Sequence, residues 1–148
     1  MQLPRQLKQN VLNELDFVIK KMTEEPKFEK KIYFYSAVNA ALERASRFYF
    51  DRELLVAHAI LNLSHAAIND RINHLRMGDV VVPISDTLIT QLIAGVMELR
   101  QAVNENKTLY PAVEKIMEVT YRVTGPGFYT CSFLDYVDTL QRGQEESK

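Results

Sequence analysis

Hydrophobic residues recur every three or four positions along most of this chain, a spacing that predicts amphipathic α-helices. Proline and helix-capping residues divide the pattern into segments: Pro26 ends one segment, and Asp51 and Ser85 are suited to begin others. The predicted helices cover residues 6–22, 28–50, 51–76, 85–104 and 111–122, and a last short helix begins near Ser132 and ends before Gly143.

These segments predict an all-α fold, a helical bundle of four main helices with one or two short C-terminal helices. The chain has no internal repeat and no linker rich in Pro, Gly or Ser, so we expect residues 1–148 to form one domain, with residues 143–148 as a frayed tail. Between the third and fourth helices, three valines before Pro83 favour a short strand or an extended crossover.

The same pattern predicts which side chains are buried. One broad stripe of the second helix includes Phe34, Phe48 and Tyr49, which we therefore expect in the core. The third helix has two apolar stripes, one containing Leu54 and the other Ile60. Because four main helices offer limited surface to cover both stripes, we expect part of this helix and the three valines to remain available to a partner.

Composition narrows the class of protein. A formal net charge of -1 is too small to create a field that gathers nucleic acid or an acidic surface. The single cysteine excludes an intramolecular disulfide, and the first residues lack the pattern of a secretory signal, so we expect a cytoplasmic protein. No apolar run approaches the roughly 20 residues that a membrane span needs, so no membrane association is expected.

Two of the three histidines, His58 and His65, lie seven residues apart in the third predicted helix. This spacing puts them on one face but about 10.5 Å apart along the helix axis, whereas two histidines on one helix share a zinc ion at i,i+4 spacing. His74 projects in a third direction, and the chain has no Glu-x-x-His pair of the di-iron type. We therefore expect neither a metal nor a cofactor, and we expect these histidines to hydrogen-bond to a neighbouring helix.

Two short segments resemble motifs of known families. NLSHAAINDR resembles the H-box of sensor kinases, which implies phosphotransfer on His65, with Ala66 in place of the family's acidic residue. DRELLVAH resembles the R-x(4–6)-H motif of HEPN-type helical ribonucleases, which implies RNA cleavage with His58 as general acid or base and Arg52 stabilising the phosphorane charge. On a regular helix Arg52 and His58 point about 120° apart, so they converge only through a distorted first turn or a second subunit.

Two other sets of residues are candidates for binding. Tyr33, Arg44 and Arg47 lie toward the polar side of the second helix, where basic and aromatic residues alternate as in proteins that bind single-stranded nucleic acid. A small-ligand pocket between the second and third helices would be lined by Tyr35, Tyr49, His58 and His65.

The rest of the chain carries few signals for catalysis, because it has no phosphate-binding loop and no repeated pair of carboxylates on facing helices. The main expectation is therefore a non-enzymatic helical-bundle protein that acts by association, as a homodimer or other homo-oligomer or with a protein partner. A HEPN-like RNA-binding protein or ribonuclease and a small-ligand binder are the alternatives, and nucleic-acid binding is the weaker partner hypothesis.

Overall fold

The structure, a computed structural model, describes residues 1–76, 78, 84–124 and 142. It confirms an all-α bundle with five helices in the described part of the chain. In chain order these are α1 (Arg5–Glu24), α2 (Phe28–Phe48), α3 (Arg52–Arg76), α4 (Asp86–Asn104) and α5 (Tyr110–Thr124).

The helices pack around a common core in the cyclic order α1, α2, α3, α5, α4 and back to α1. Each helix therefore packs mainly against two others and turns one apolar face inward. The largest fully buried side chains come from all five helices or their ends and include Leu15, Leu42, Leu61, Leu99 and Leu109. None of the helices in the described ranges is long and apolar enough to cross a bilayer.

Local sequence explains where two of the helices begin. The backbone N–H of Leu54 donates to the Oδ1 atom of Asp51 at 3.0 Å, and the N–H of Leu88 donates to the Oγ atom of Ser85 at 3.3 Å. Both contacts cap otherwise unpaired amides of a first turn. The predicted capping roles of Asp51 and Ser85 are therefore confirmed.

The end of α4 is fixed by a residue in the left-handed conformation. Asn106 has a φ of 56°, and the N–H of Lys107 reaches back to the carbonyl of Ala102 at 2.9 Å. These two features define a Schellman cap, in which a residue with positive φ lets the chain turn back over the last carbonyls. Asparagine is one of the few side chains that tolerates this position.

The expectation that part of α3 stays uncovered is wrong for most of its described apolar residues, and the three valines before Pro83 lie outside the described residues. Its two neighbours in the bundle are α2 and α5, and together they cover most of both apolar stripes. Leu54 and Ile68 are fully buried on one stripe, and Ile60 and Ala67 are at most 2% exposed on the other. Val56 and Leu63 of the second stripe are partly buried against the core, and Leu55 of the same helix is 40% exposed.

The expected burial of Phe48 is also wrong, and α2 is shorter than predicted. The helix ends at Phe48 because Tyr49 is extended, with a φ of −145°, and the ring of Phe48 is 80% exposed. The facing part of α1 borders a groove here and does not close over the ring. Phe34 and Tyr49 are partly buried against the core.

Three further expectations fall on residues outside those that the structure describes. They are the extended segment that ends at Pro83, the last short helix after Ser132 and the frayed tail of residues 143–148.

Candidate functional site

Three aromatic rings meet on the outer face of α1 and α2. Phe17 of α1 lies edge-on to Phe34 of α2, with ring centroids 6.3 Å apart, and Tyr33 lies edge-on to Phe34 at 5.7 Å. Phe17 is 51% exposed and Tyr33 is 73% exposed, so the cluster is not buried within the chain. The ammonium group of Lys21 lies 5.7 Å from the Phe17 ring centroid, a cation–π distance.

The same face continues toward the other end of the two helices as a shallow groove. Its volume is about 140 Å³, and its lining residues are Leu7, Asn10, Val11, Glu14, Ala41, Arg44, Ala45 and Phe48. Three of these side chains form a buried apolar floor, namely Val11, Ala41 and Ala45. We call the exposed rings of Phe17, Tyr33 and Phe48, together with Phe34 and this groove, the α1–α2 surface.

The predicted nucleic-acid residues lie on or beside this surface, but its arginines are paired. Arg44 donates to Glu14 of α1 at 2.5 Å, and Arg47 donates to Glu43 of its own helix at 2.6 Å. The hydrogen bond from Arg47 and its positive charge lower the pKa of the Glu43 carboxyl, which keeps that partner ionised. Each guanidinium charge is thus offset by a nearby carboxylate. The third predicted residue, Tyr33, has its ring exposed to solvent.

A polar network joins the middle of α2 to α3. The Oδ1 atom of Asn39 lies 2.5 Å from Nδ1 of His58, and the Asn39 amide nitrogen donates to Asn62 Oδ1 at 3.2 Å. Because an amide oxygen only accepts, this placement puts the proton on Nδ1 and leaves Nε2 of His58 with its lone pair. The expectation that a histidine bonds to the neighbouring helix is confirmed at His58.

Arg52 and His58 face different neighbours. Arg52 lies near the hydroxyl of Tyr110 at the start of α5, whereas His58 contacts Asn39 of α2. Burial, followed by the nearby Glu53 carboxylate, raises the pKa of Tyr110. The α3 helix is regular from Arg52 onward, so the structure does not bring together the pair that the ribonuclease motif requires within one chain.

Of the four predicted pocket residues, Tyr35 and His65 lie close together, with ring centroids 6.2 Å apart. Tyr35 is buried and its hydroxyl bonds to Ser64 at 2.8 Å, so its polar atom faces the core. His65 is half-buried, which lowers the pKa of its imidazole. Tyr49 is partly buried at the end of α2. The pocket that these side chains would line remains a prediction.

A second cavity lies in the turn between α4 and α5, close to the start of α3, where the N–H of Leu109 donates to the Glu53 carboxylate. It has a volume of about 270 Å³, and its charged lining residues are engaged, with Glu98 bound to Lys115 and Glu105 bound to Lys107. Within the described ranges, no group of three or more His, Cys, Asp or Glu side chains is placed to hold a metal ion.

Several residues that matter in the structure were missed in the sequence. Phe17 directly precedes the buried Val18. The only signal for its exposure was its position as an aromatic residue at the polar edge of the first helix. Asn39 gave no periodic signal at all. Ser64 did give one, because it is a serine within the apolar stripes of α3, a position that demands a hydrogen-bond partner.

Comparison with known proteins adds no family to these observations. No protein-family model matches the chain, and neither a curated protein nor a solved structure matches it.

Proposed function

We propose that this protein acts by self-association, as a homodimer that joins two copies through the α1–α2 surface. The observation that supports it is the exposure of three aromatic rings, Phe17, Tyr33 and Phe48, on one face of the bundle. Aromatic side chains are enriched at protein interfaces, and a contiguous exposed apolar patch is a frequent mark of a binding site.

The exposed aromatic rings supply about half of the area that an interface needs. With about 200 Å² for a whole aromatic side chain, the exposed fractions of the three rings leave roughly 400 Å² in water. That is about half of the ~800 Å² that each partner contributes to an interface of standard size. The apolar groove and the stems of the neighbouring arginines are available for the remainder.

Electrostatics offers little resistance to such a contact. The net charge of -1 per chain produces weak repulsion between two copies. Within the surface, the Arg44–Glu14 and Arg47–Glu43 pairs already neutralise each other. Association therefore buries no uncompensated charge beside the groove, the usual penalty at an interface centre.

The test is the mass of the protein in solution, measured by size-exclusion chromatography with light scattering. We expect a dimer that dissociates on dilution and that Tyr33→Ser weakens. A loss of about 1 kcal/mol per copy counts twice in a symmetric dimer and weakens association roughly thirtyfold. A wild-type chain that stays monomeric at high micromolar concentration contradicts the proposal.

Tyr121→Ser is the matched control. Tyr121 is an exposed tyrosine like Tyr33, but it lies on α5, which packs mainly against α3 and α4. We expect this variant to dimerise as the wild type does. Equal weakening by both substitutions would mean that the effect belongs to surface hydrophobicity in general and not to the α1–α2 surface.

The proposal includes a cytoplasmic location, which the single cysteine supports because thiols stay reduced in that compartment. It also keeps association with a different protein as an outcome of the test. If the wild type is monomeric yet Tyr33→Ser abolishes binding to a partner, the surface serves that partner.

A second candidate function is ligand binding or RNA cleavage at His58. The observation in its favour is the contact with Asn39, which fixes the imidazole tautomer and leaves Nε2 able to accept a proton. Incubation of the wild type and of His58→Ala with a panel of RNAs tests it. Cleavage that is lost in the variant, with thermal stability retained, supports this function, and no cleavage by the wild type rejects it.

A further inference from the structure

The α1–α2 surface carries both a groove and an exposed ring beside it. The floor of the groove is apolar and is formed by Val11, Ala41 and Ala45, which are each at most 2% exposed. Phe48 borders the same groove, yet its ring is 80% exposed and lies largely in solvent. The chain thus leaves its own groove open and its adjacent ring unburied.

The groove has the size of an aromatic ring. Its volume is about 140 Å³, close to the ~150 Å³ of an engineered apolar cavity that takes up benzene. Its lip is formed in part by Glu14 and Arg44, whose charges are paired at 2.5 Å, so a ring that enters meets no unpaired charge. A phenyl group therefore fits both the volume and the chemistry of the groove.

Resting on the self-association proposed above, we infer that Phe48 of each copy inserts into the groove of the other copy. The inserted ring and the groove lie side by side on one surface, and this is the arrangement that a two-fold axis requires. In an isologous dimer, the rotation that places one ring in the partner's groove places the second ring in the first groove as well. Two identical ring-in-groove contacts then form at the centre of the interface.

This arrangement explains two features of the local sequence. Ala41 and Ala45 are small residues that leave room above the α2 backbone, where larger side chains would fill the groove. The helix ends at Phe48, which frees its ring from the packing of a following helical turn. Buried aromatic anchors that fill a pocket on the partner are typical of the residues that dominate interface energies.

The test separates the ring from the groove by mixing two variants. Phe48→Ser removes the ring, and Leu7→Phe enlarges a half-buried side chain that lines the groove. Each variant alone lacks both contacts, and we expect its dimer to be weaker than that of the wild type by about tenfold or more. A mixture restores one contact, because Phe48 of the Leu7→Phe chain can enter the open groove of the Phe48→Ser chain.

We therefore expect the mixed dimer to form more tightly than either variant dimer, beyond the statistical preference for mixed pairs, and less tightly than the wild-type dimer. Labelling one variant with a fluorophore allows the mixed affinity to be measured by titration. Asn10→Phe, at an exposed position on the groove lip, is a second groove-filling variant if Leu7→Phe fails to fold by circular dichroism.

Phe50→Ser is the matched control, since Phe50 is an equally exposed phenylalanine that does not line the groove. It should leave the affinity unchanged. If the wild type dimerises and Tyr33→Ser weakens the dimer, but Phe48→Ser does not or the mixture shows no gain, this inference is wrong and self-association stands. If the wild type is monomeric, both fail together.

Discussion

Replacing Ser64 with alanine removes the middle member of a buried chain of hydroxyl groups that joins three helices. Tyr35 of α2 lies 2.8 Å from Ser64 of α3, and Ser64 lies 2.5 Å from Thr120 of α5. The Thr120 hydroxyl donates to the carbonyl of Ile116 at 2.7 Å. All three hydroxyl-bearing side chains are at most 1% exposed.

The direction of every bond in this chain follows from the number of protons. A hydroxyl has one proton to donate, and Thr120 uses its own on Ile116. Thr120 must therefore accept from Ser64, and Ser64, with its proton used, must accept from Tyr35. Burial raises the pKa of the Tyr35 hydroxyl, which keeps it protonated and able to donate.

Ser64→Ala leaves the buried Tyr35 hydroxyl without an acceptor, a loss that costs about 1 to 3 kcal/mol. Alanine is the better helix former by about 0.5 kcal/mol, so the measured decrease in the free energy of unfolding is slightly smaller than this cost. Tyr35→Phe removes only the first donor and leaves the Ser64–Thr120 bond intact, so we expect a loss of about 1 kcal/mol.

A double-mutant cycle, followed by urea unfolding and circular dichroism, measures the coupling. In the Tyr35→Phe background no hydroxyl remains to be stranded, so Ser64→Ala should cost about 1 to 2 kcal/mol less than in the wild type. Ser36→Ala is the control, because that serine bonds to a carbonyl of its own helix. Additive losses from Tyr35→Phe and Ser64→Ala would refute the hydroxyl chain.

Three other substitutions give outcomes of defined sign. A Cβ atom added at Gly95 lies 2.7 Å from Cγ1 of Ile116. Gly95→Ala should therefore lower the free energy of unfolding in urea by about 1 kcal/mol, because the overpacking costs more than the gain in helix propensity. A stabilised variant would contradict the close approach of α4 and α5. Asn106 has a positive φ, so Asn106→Val should lower the free energy of unfolding by about 1 to 2 kcal/mol and Asn106→Gly should leave it almost unchanged. Equal losses in the two variants would argue against the Schellman cap. Burial lowers the pKa of His65 in the folded chain, so the unfolded chain takes up the proton at a higher pH. The contribution of His65 to the free energy of unfolding should therefore be fully present above the ordinary pKa of 6.5 and decrease as the pH falls below it. Urea unfolding across this range should show a flatter pH dependence for His65→Gln than for the wild type, and an equally steep dependence in both would contradict this reasoning.

The helices were predictable because their signals are local. Apolar periodicity and the capping side chains of Asp51 and Ser85 act within one or two turns, and the structure ends and begins its helices within two residues of the predicted positions. The unexpected coverage of α3 has a different origin, since it depends on where α5 packs. Periodicity describes the faces of one helix but not its neighbours.

The candidate site was less predictable for the same reason. The exposure of Phe48 depends on how closely α1 approaches the end of α2, and its sequence position places it on the apolar stripe. The His58–Asn39 contact joins residues 19 positions apart on two helices. Arg44 and Arg47 appeared as a basic pair in the sequence, but their carboxylate partners emerge only from helix packing and from side-chain geometry.

The most direct test of self-association through the α1–α2 surface is the tryptophan emission of Tyr33→Trp as the protein concentration rises. The chain contains no tryptophan, so the new indole reports only from this surface. We expect emission to shift to shorter wavelength as the mass rises from 17.1 kDa to twice that value. Emission that stays at the solvent-exposed wavelength while the mass doubles would contradict the account.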